Sequence, residues 1–143
     1  MIVESKILLE LDVPTISGFI YPRELSVDII RAINNTDIGG VIYSGNNLPN
    51  PENIQPRFKV SNAQLMVDES VDPSELIICC DVNIDDGALH PKEIELLQTK
   101  DWRLSIVGKG ETEDNVVKKY ELKYVNIEII DDMYYTYQDR SEG

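Results

Sequence analysis

The sequence predicts an α+β domain, a small and mostly antiparallel β-barrel or closed sheet with two or so peripheral helices. Three observations support this fold class. The chain has 143 residues, a common size for one domain, and its hydrophobic fraction of 42% is enough to form a core. About six segments have strand character, and two with helical spacing interrupt them. We expect a single domain over residues 1–130 and an exposed, acidic, Tyr-rich tail over residues 131–143.

The first helix is the best-defined element of the sequence. Ser17 and Gly18 predict a turn before it, since glycine adopts a positive φ without steric cost. Pro22 suits the first turn of a helix, because its φ is already fixed there. We expect Asn34 and Asn35 to end the helix in the left-handed conformation. Its apolar residues recur at helical spacing on one face: Leu25, Ile29, Ala32 and Ile33.

The strands are predicted from apolar alternation bounded by turn residues. The segments assigned as strands are 2–13, 41–43, 57–67, 76–84, 102–106 and 116–130, with a turn at 37–40. The strands 57–67 and 76–84 are expected to pair antiparallel. In the first of them, alternation predicts two faces, one with Ala63, Leu65 and Val67 and the other with Phe58, Val60 and Met66.

The second half of the chain contains a short helix and a hairpin. His90-Pro91 opens the helix, which is predicted to continue to Gln98. Gly108-Lys109-Gly110 is interpreted as a hairpin turn that breaks the strand before it. In the last strand the apolar phase shifts by one residue near Tyr124, which predicts a β-bulge.

The net charge of the chain limits the classes of partner that it is expected to bind. The net charge is −13, from 26 acidic and 13 basic residues, so we expect no nucleic-acid binding and no docking on anionic membranes. Such a surface keeps the chain soluble or steers it to a basic protein. Residues 1–10 lack the apolar block of a signal peptide. Cys79 and Cys80 are neighbours on a strand and are expected to remain reduced thiols.

Few residues suggest chemistry, and we predict neither a cofactor nor a metal. The chain has one histidine and no paired Cys-x-x-Cys spacing. Ser105 is a weak candidate nucleophile, since a serine needs a base within hydrogen-bond reach. His90 is the weak candidate base, although His-Pro at a helix start is commonly structural. Asp85-Asp86-Gly87 is interpreted as a turn and not as a carboxylate pair.

The order of several short strings resembles the prohead maturation proteases of tailed bacteriophages, which share the herpesvirus-assemblin type of fold. The resemblance covers roughly residues 7–132. The strings that carry it are Ser17-Gly18-Phe19-Ile20-Tyr21-Pro22-Arg23-Glu24-Leu25 at the helix entry, the strands 58–67 and 76–84, the Leu96-Leu97 pair, Ser105-Ile106-Val107-Gly108-Lys109-Gly110, and the final strand 122–130. The resemblance implies a prohead-protease-like fold and a place in a phage head.

Departures from that family pattern bear on activity. The family's catalytic His lies in an Asp-His-Pro string, and residues 40–49 hold no histidine at that place. His90-Pro91 falls on a different element. The family's Ser-Ser-Arg-Gly-x-Gly string keeps Ser105, Gly108 and Gly110 but loses the second Ser and the Arg. The resemblance therefore implies the protease fold without protease chemistry.

These observations lead to one leading hypothesis and two alternatives. The first is a non-enzymatic phage structural protein, a decoration, cement or core component of the capsid or prohead, assembled in the host cytoplasm. Its partners would be capsid or prohead proteins, or a second copy of the chain. The alternatives are a divergent serine prohead protease using Ser105, and a small acidic phage-encoded inhibitor of a host or phage factor. The predicted binding residues are Asn46, Asn47, Leu48, Tyr134, Tyr135 and Tyr137.

Overall fold

The computed structural model describes residues 1–44, 57–85, 87 and 89–130. This part of the chain is α+β with two α-helices, as predicted, and its strands form two sheets. Its elements are β1 Ile2–Glu10, a 3-10 turn Arg23–Leu25, α1 Ser26–Asn35, β2 Gly39–Gly40, β3 Ile42–Ser44, β4 Phe58–Asp68, β5 Glu75–Ile84, α2 Pro91–Thr99, β6 Asp101–Glu113 and β7 Val116–Ile130.

The strands form two sheets and not the closed barrel that the sequence predicted. The first sheet has the order β1-β5-β4-β2 and is antiparallel, and the second has the order β3-β7-β6. In the second sheet β3 is parallel to β7, and β6 pairs with β7 as a long hairpin. The sheets meet where β2 continues into β3. On the opposite side β1 and β6 run beside each other without a hydrogen-bonded ladder, and two register shifts distort β1 there.

The core lies between the sheets and α1, and the predicted helix stripe is confirmed. Leu25, Ile29 and Ile33 are buried, while Ala32 is only half-buried. The side chains that are most completely buried come from both sheets and the helix: Leu11, Ile29, Ile78, Cys80, Val82, Val125, Ile127 and Ile129. The predicted antiparallel pairing of β4 with β5 is also confirmed.

The first helix ends at the predicted residue but by a different mechanism. Thr36 follows it in an extended conformation, and its backbone N–H and its hydroxyl both donate to the Ala32 carbonyl. The expectation of a left-handed asparagine at the helix end is therefore wrong. Asn34 instead reaches β4, where its side chain accepts from Ala63 N at 2.8 Å and donates to Ala63 O at 3.1 Å.

That contact lies at a β-bulge in β4, which also corrects the predicted faces of this strand. The register with β5 shifts between Ser61 and Gln64, and Asn62 has a φ of 51°. The shift moves Ala63 to the core, beside Phe58 and Val60. Simple alternation had placed Ala63 on the opposite face, because a bulge changes the phase of every residue beyond it.

Gly108-Lys109-Gly110 forms part of β6, and the predicted hairpin turn at this site is wrong. The turn lies at Asp114 and Asn115, whose φ values of 52° and 66° suit a two-residue hairpin. Gly108 is needed for space, since a Cβ there would lie 2.2 Å from the Glu121 carbonyl oxygen. The predicted bulge in β7 is confirmed, because the register shift opposite Gly108 leaves Lys123 unpaired beside Tyr124.

Two further predictions concern residues of the first sheet, the Gly39-Gly40 pair and the two cysteines. Gly39 and Gly40 form the short buried strand β2, and residues 37–38 carry no turn, so the turn expected at residues 37–40 is wrong. Cys79 and Cys80 are free thiols, as predicted. Burial raises the pKa of Cys80 to about 12, which makes this thiol a poor nucleophile.

Candidate functional site

A groove with a volume of about 860 Å³ lies where β1 and β6 run side by side. Residues 6–10 of β1 form one wall and residues 102–106 of β6 form the other, and the segment 14–17 closes one end. We call this feature the edge groove. Its apolar lining includes Ile7, Leu8, Leu9, Pro14, Ile16, Trp102, Leu104 and Ile106. The edge groove therefore combines apolar surface with two strand edges.

Both walls are the outer edges of their sheets. Among the described strands, β1 pairs with β5 alone and β6 pairs with β7 alone. Within the described residues, no backbone hydrogen bond joins the two walls across the edge groove. An outer strand presents a row of N–H and C=O groups that can pair with another extended chain. The two walls are thus suited to strand addition.

The cationic side chains of the edge-groove lining, Lys6 and Arg103, lie at one end of it. The Lys6 ammonium lies 4.1 Å from the centroid of the Trp102 ring, a cation–π contact between the walls. Burial lowers the pKa of Lys6, and the nearby Asp101 carboxylate acts in the opposite direction. Lys6 therefore sits in a partly desolvated position, where an added anion would be held strongly.

Arg103 lies next to Trp102 and is fixed by an ion pair with Glu128. Its Nε and Nη2 donate to the two carboxylate oxygens of Glu128 at 3.0 and 3.1 Å. Glu128 is 6% exposed and stands opposite Arg103 in the β6–β7 ladder. A two-point pair of this kind fixes the guanidinium plane, so Arg103 forms a rigid part of the edge groove.

Negative charge is concentrated at the other end. Glu10 is the last residue of β1, and β4 and β5 bring Asp68 and Glu75 close to it. Burial, followed by the carboxylates of Glu75 and Asp68, raises the pKa of Glu10. No ion pair between these three carboxylates and a cation occurs in the described part of the chain.

The raised pKa predicts a pH-dependent effect of Glu10→Gln. A carboxyl with a raised folded-state pKa binds its proton more tightly in the native state, so its ionisation costs stability as pH rises above the ordinary value of 4.5. We expect Glu10→Gln to raise the urea midpoint at pH 7 and to have little effect at pH 4. Glu4→Gln, an exposed change on the same strand, is the control. A lower midpoint for Glu10→Gln at pH 7 would show that its charge is stabilising.

The segment between β1 and α1 is held against the end of the edge groove by polar contacts. Asp12 has a φ of 63°, and its carboxylate accepts from Arg23 N at 2.9 Å and Arg23 Nε at 2.7 Å. Tyr21 packs edge-on against Tyr120, with ring centroids 5.4 Å apart. These contacts fix the position of residues 14–17.

The structure places Ser105 and His90 in different parts of the fold. Ser105 lies in the β6 wall of the edge groove and pairs with Asn126 of β7. His90 is the N-cap of α2, where its Nδ1 accepts from Lys92 N at 3.1 Å and its backbone N–H donates to Glu93 Oε1 at 2.9 Å. His90 is absent from the groove lining. The structure therefore does not bring the two candidates together as a nucleophile and its base.

Replacing His90 tests its capping role. Loss of an N-cap acceptor costs about 1 kcal/mol, so His90→Ala should lower the free energy of unfolding by that amount. His90→Asn, which restores an N-cap acceptor, should recover most of the loss. Chemical denaturation of the three proteins measures both effects. Equal stability of His90→Ala and the parent would contradict the capping role.

The remaining predicted site residues, Asn46, Asn47, Leu48, Tyr134, Tyr135 and Tyr137, lie outside the described residues. Sequence reasoning missed Lys6, Trp102, Arg103 and Glu128 as site residues. Each had been interpreted only as part of a strand, because alternation does not show which strands become sheet edges. The adjacent Trp102 and Arg103, an aromatic and a cation beginning one strand, were the available signal.

No cluster of three or more metal-ligating side chains occurs in the described ranges, and no helix there is long and apolar enough to cross a membrane. Comparisons with protein-family models, curated proteins and solved structures found no match to this chain.

Proposed function

We propose that this chain is a non-enzymatic structural protein of a tailed-phage head, with a prohead-protease-like fold that serves as a binding module in the capsid or prohead. Its role is that of a decoration, cement or core component. The observation that carries the binding function is the edge groove, whose two walls are strand edges that no other described strand pairs with across it. The order of motifs that resembles the prohead proteases supports the location in a phage head.

The chemistry of the edge groove supports binding to protein. Its backbone groups supply hydrogen bonds to an extended chain, and its apolar side chains supply buried area. Trp102 and Arg103 belong to the residue types that most often dominate binding energy at interfaces. The net charge of −13 favours encounter with a basic surface and disfavours contact with nucleic acid.

The surroundings of Ser105 support a non-catalytic role. A serine hydroxyl is a weak nucleophile without an adjacent base. His90, the one histidine of the chain, acts as the N-cap of α2 and lies outside the edge groove. The sequence string that resembles the family's thus keeps a serine, while the His90 imidazole caps a helix.

Mass spectrometry of purified phage particles and proheads tests the proposal. The chain should be present at a fixed ratio to the major capsid protein. Trp102→Ala should reduce incorporation tenfold or more, since one aromatic anchor supplies at least about 1.4 kcal/mol. Lys118→Ala, an exposed change on β7 outside the groove lining, should incorporate normally. Absence from all particles and proheads would refute a structural role in the head.

A serine hydrolase is the second candidate, because Ser105 and Lys6 line the same groove and burial lowers the pKa of Lys6. A desolvated lysine can act as the base for a serine. A fluorophosphonate probe separates the two functions. The non-enzymatic proposal expects equal labelling of the parent and of Ser105→Ala. Labelling that is lost in both Ser105→Ala and Lys6→Met would establish the hydrolase.

A further inference from the structure

We infer that the edge groove binds an extended segment of a partner protein that carries an acidic and a basic side chain three residues apart. The acidic side chain lies against Lys6 and the basic side chain against Glu10. This inference rests on the proposed binding function, and it specifies the chemistry of the partner. The evidence consists of the direction of the two walls, the charge at each end and the strand register.

The two walls run in the same direction. The contact between Lys6 and Trp102 joins the beginnings of the two walls. The segment that follows β1 reaches the far end of the β6–β7 hairpin, where Ile20 N donates to Asn115 O at 2.8 Å and Ile20 pairs with Val116. Lys6 and Glu10 therefore mark opposite ends of the edge groove.

The charges at these ends are available to a partner. Arg103 is paired with Glu128, and Asp101 lies near Lys6 without forming an ion pair with it, so the Lys6 ammonium is the cation at this end that a partner carboxylate can contact. Within the described residues, Lys6 contacts an aromatic face and forms no ion pair. At the other end, the charges that act on Glu10 in the described part of the chain are the carboxylates of Glu75 and Asp68. A segment with its acidic side chain at Lys6 and its basic side chain at Glu10 would pair both charges. A segment bound in the reverse direction would be repelled at both ends.

The register of β1 gives the spacing. Lys6 pairs with Cys80 and Glu10 pairs with Ile77, so the two positions lie three residues apart along β5. The register shift between Ile7 and Leu9 absorbs the extra residue of β1. Three strand steps correspond to about 10 Å. Side chains an odd number of residues apart lie on opposite faces of a strand. The acidic and basic side chains of the partner segment would therefore point to opposite faces, as the side chains of Cys80 and Ile77 do on β5.

The wall between these ends selects apolar side chains. Leu8 and Leu9 are buried in the β1 wall, and Leu104 is buried in the β6 wall. The two partner residues between the charges are therefore expected to be apolar or β-branched. Strand pairing between the two charged positions would span about 10 Å of this wall.

Selection from a random octapeptide library on the immobilised protein tests the inference. We expect enriched peptides with an acid and a base three residues apart, and anisotropy with the best labelled peptide gives its affinity. Lys6→Glu and Glu10→Lys should each weaken that peptide at least tenfold, and a peptide with the matching charge reversed should recover binding to each variant. Lys118→Glu and Glu4→Lys, exposed changes outside the edge groove, are the controls.

Lys6→Met and Glu10→Gln provide milder variants if a charge reversal does not fold, and each should still weaken the peptide severalfold. Enriched peptides without this charge spacing, or binding that these substitutions leave unchanged, would overturn the inference. A library that yields no binder to the edge groove would also overturn it. The particle measurement is independent of this result: a chain present in phage heads without charge-patterned binding would keep the structural role and refute the inference.

Discussion

Replacing Gly40 with alanine should destabilise the protein by more than about 3 kcal/mol, above the usual 1–3 kcal/mol for overpacking a core. A Cβ at this position would lie 1.8 Å from the Val125 carbonyl oxygen and 2.5 Å from the Asn126 side-chain oxygen. The first obstacle is backbone of the central strand of the second sheet, so a change of rotamer cannot relieve it. A domain with about 5–15 kcal/mol of total stability would lose much of it.

The position of Gly40 explains the size of this effect. Its carbonyl accepts from Arg57 N at 2.8 Å, and it pairs with Phe58 in the first sheet. The next residue, Val41, donates to the Asn126 side chain at 3.1 Å and accepts from Ile127 N at 2.9 Å in the second. Any shift that makes room for a methyl group therefore breaks hydrogen bonds that join the two sheets.

Urea denaturation followed by circular dichroism measures the loss. Gly87→Ala is the matched control, because the atom nearest to its added Cβ would be Asp85 Oδ1 at 3.4 Å, an ordinary contact distance. It should leave the midpoint almost unchanged. A Gly40→Ala protein as stable as Gly87→Ala would mean that the two sheets do not approach as closely as described.

Gly40 and Gly108 are positions where the local sequence pattern predicts the wrong structure. Both occur in short glycine pairs, and local rules favour turns at such positions. In the fold both lie within strands, because another backbone approaches too closely for any side chain. That approach comes from residues far away in the sequence, so nothing in the local pattern distinguishes a glycine that turns the chain from one that admits a neighbour.

The elements themselves were predictable because they depend on local periodicity. The stripe of α1 and the bulge in β7 both appear as phase patterns within one segment, and both were found. The bulge in β4 was missed, because the apolar residues before Ser61 and those from Ala63 onward were assigned to the two faces of one regular strand. The closed barrel was also wrong, because closure depends on whether β1 and β6 pair, a contact between the two ends of the domain.

The candidate site was less predictable than the fold for the same reason. Lys6 and Glu10 are ordinary polar residues of a strand until β1 becomes a sheet edge. Ser105 is a candidate because of its residue type and because of the resemblance, and the structure places it in the groove wall beside residues that carry no such signal. The groove is therefore a property of strand order, and strand order is set by tertiary packing.

Replacing Ile29 with alanine should lower the free energy of unfolding by about 2–5 kcal/mol. Ile29 lies on the central turn of α1, is 1% exposed and belongs to the core cluster with Ile33 and Val125. The truncation removes buried apolar surface and leaves a cavity that the surrounding β-branched side chains fill poorly. The helix propensity of alanine recovers only a few tenths of a kcal/mol.

Val27→Ala is the matched control, since Val27 lies in the same helix and is 56% exposed. Its truncation removes little buried surface, and the better helix propensity of alanine should leave the midpoint equal or slightly higher. Urea denaturation at a fixed pH should therefore separate the two variants by at least about 2 kcal/mol. Equal midpoints for the two would show that α1 does not pack its Ile29 face against the sheets, and the assignment of the core would have to be abandoned.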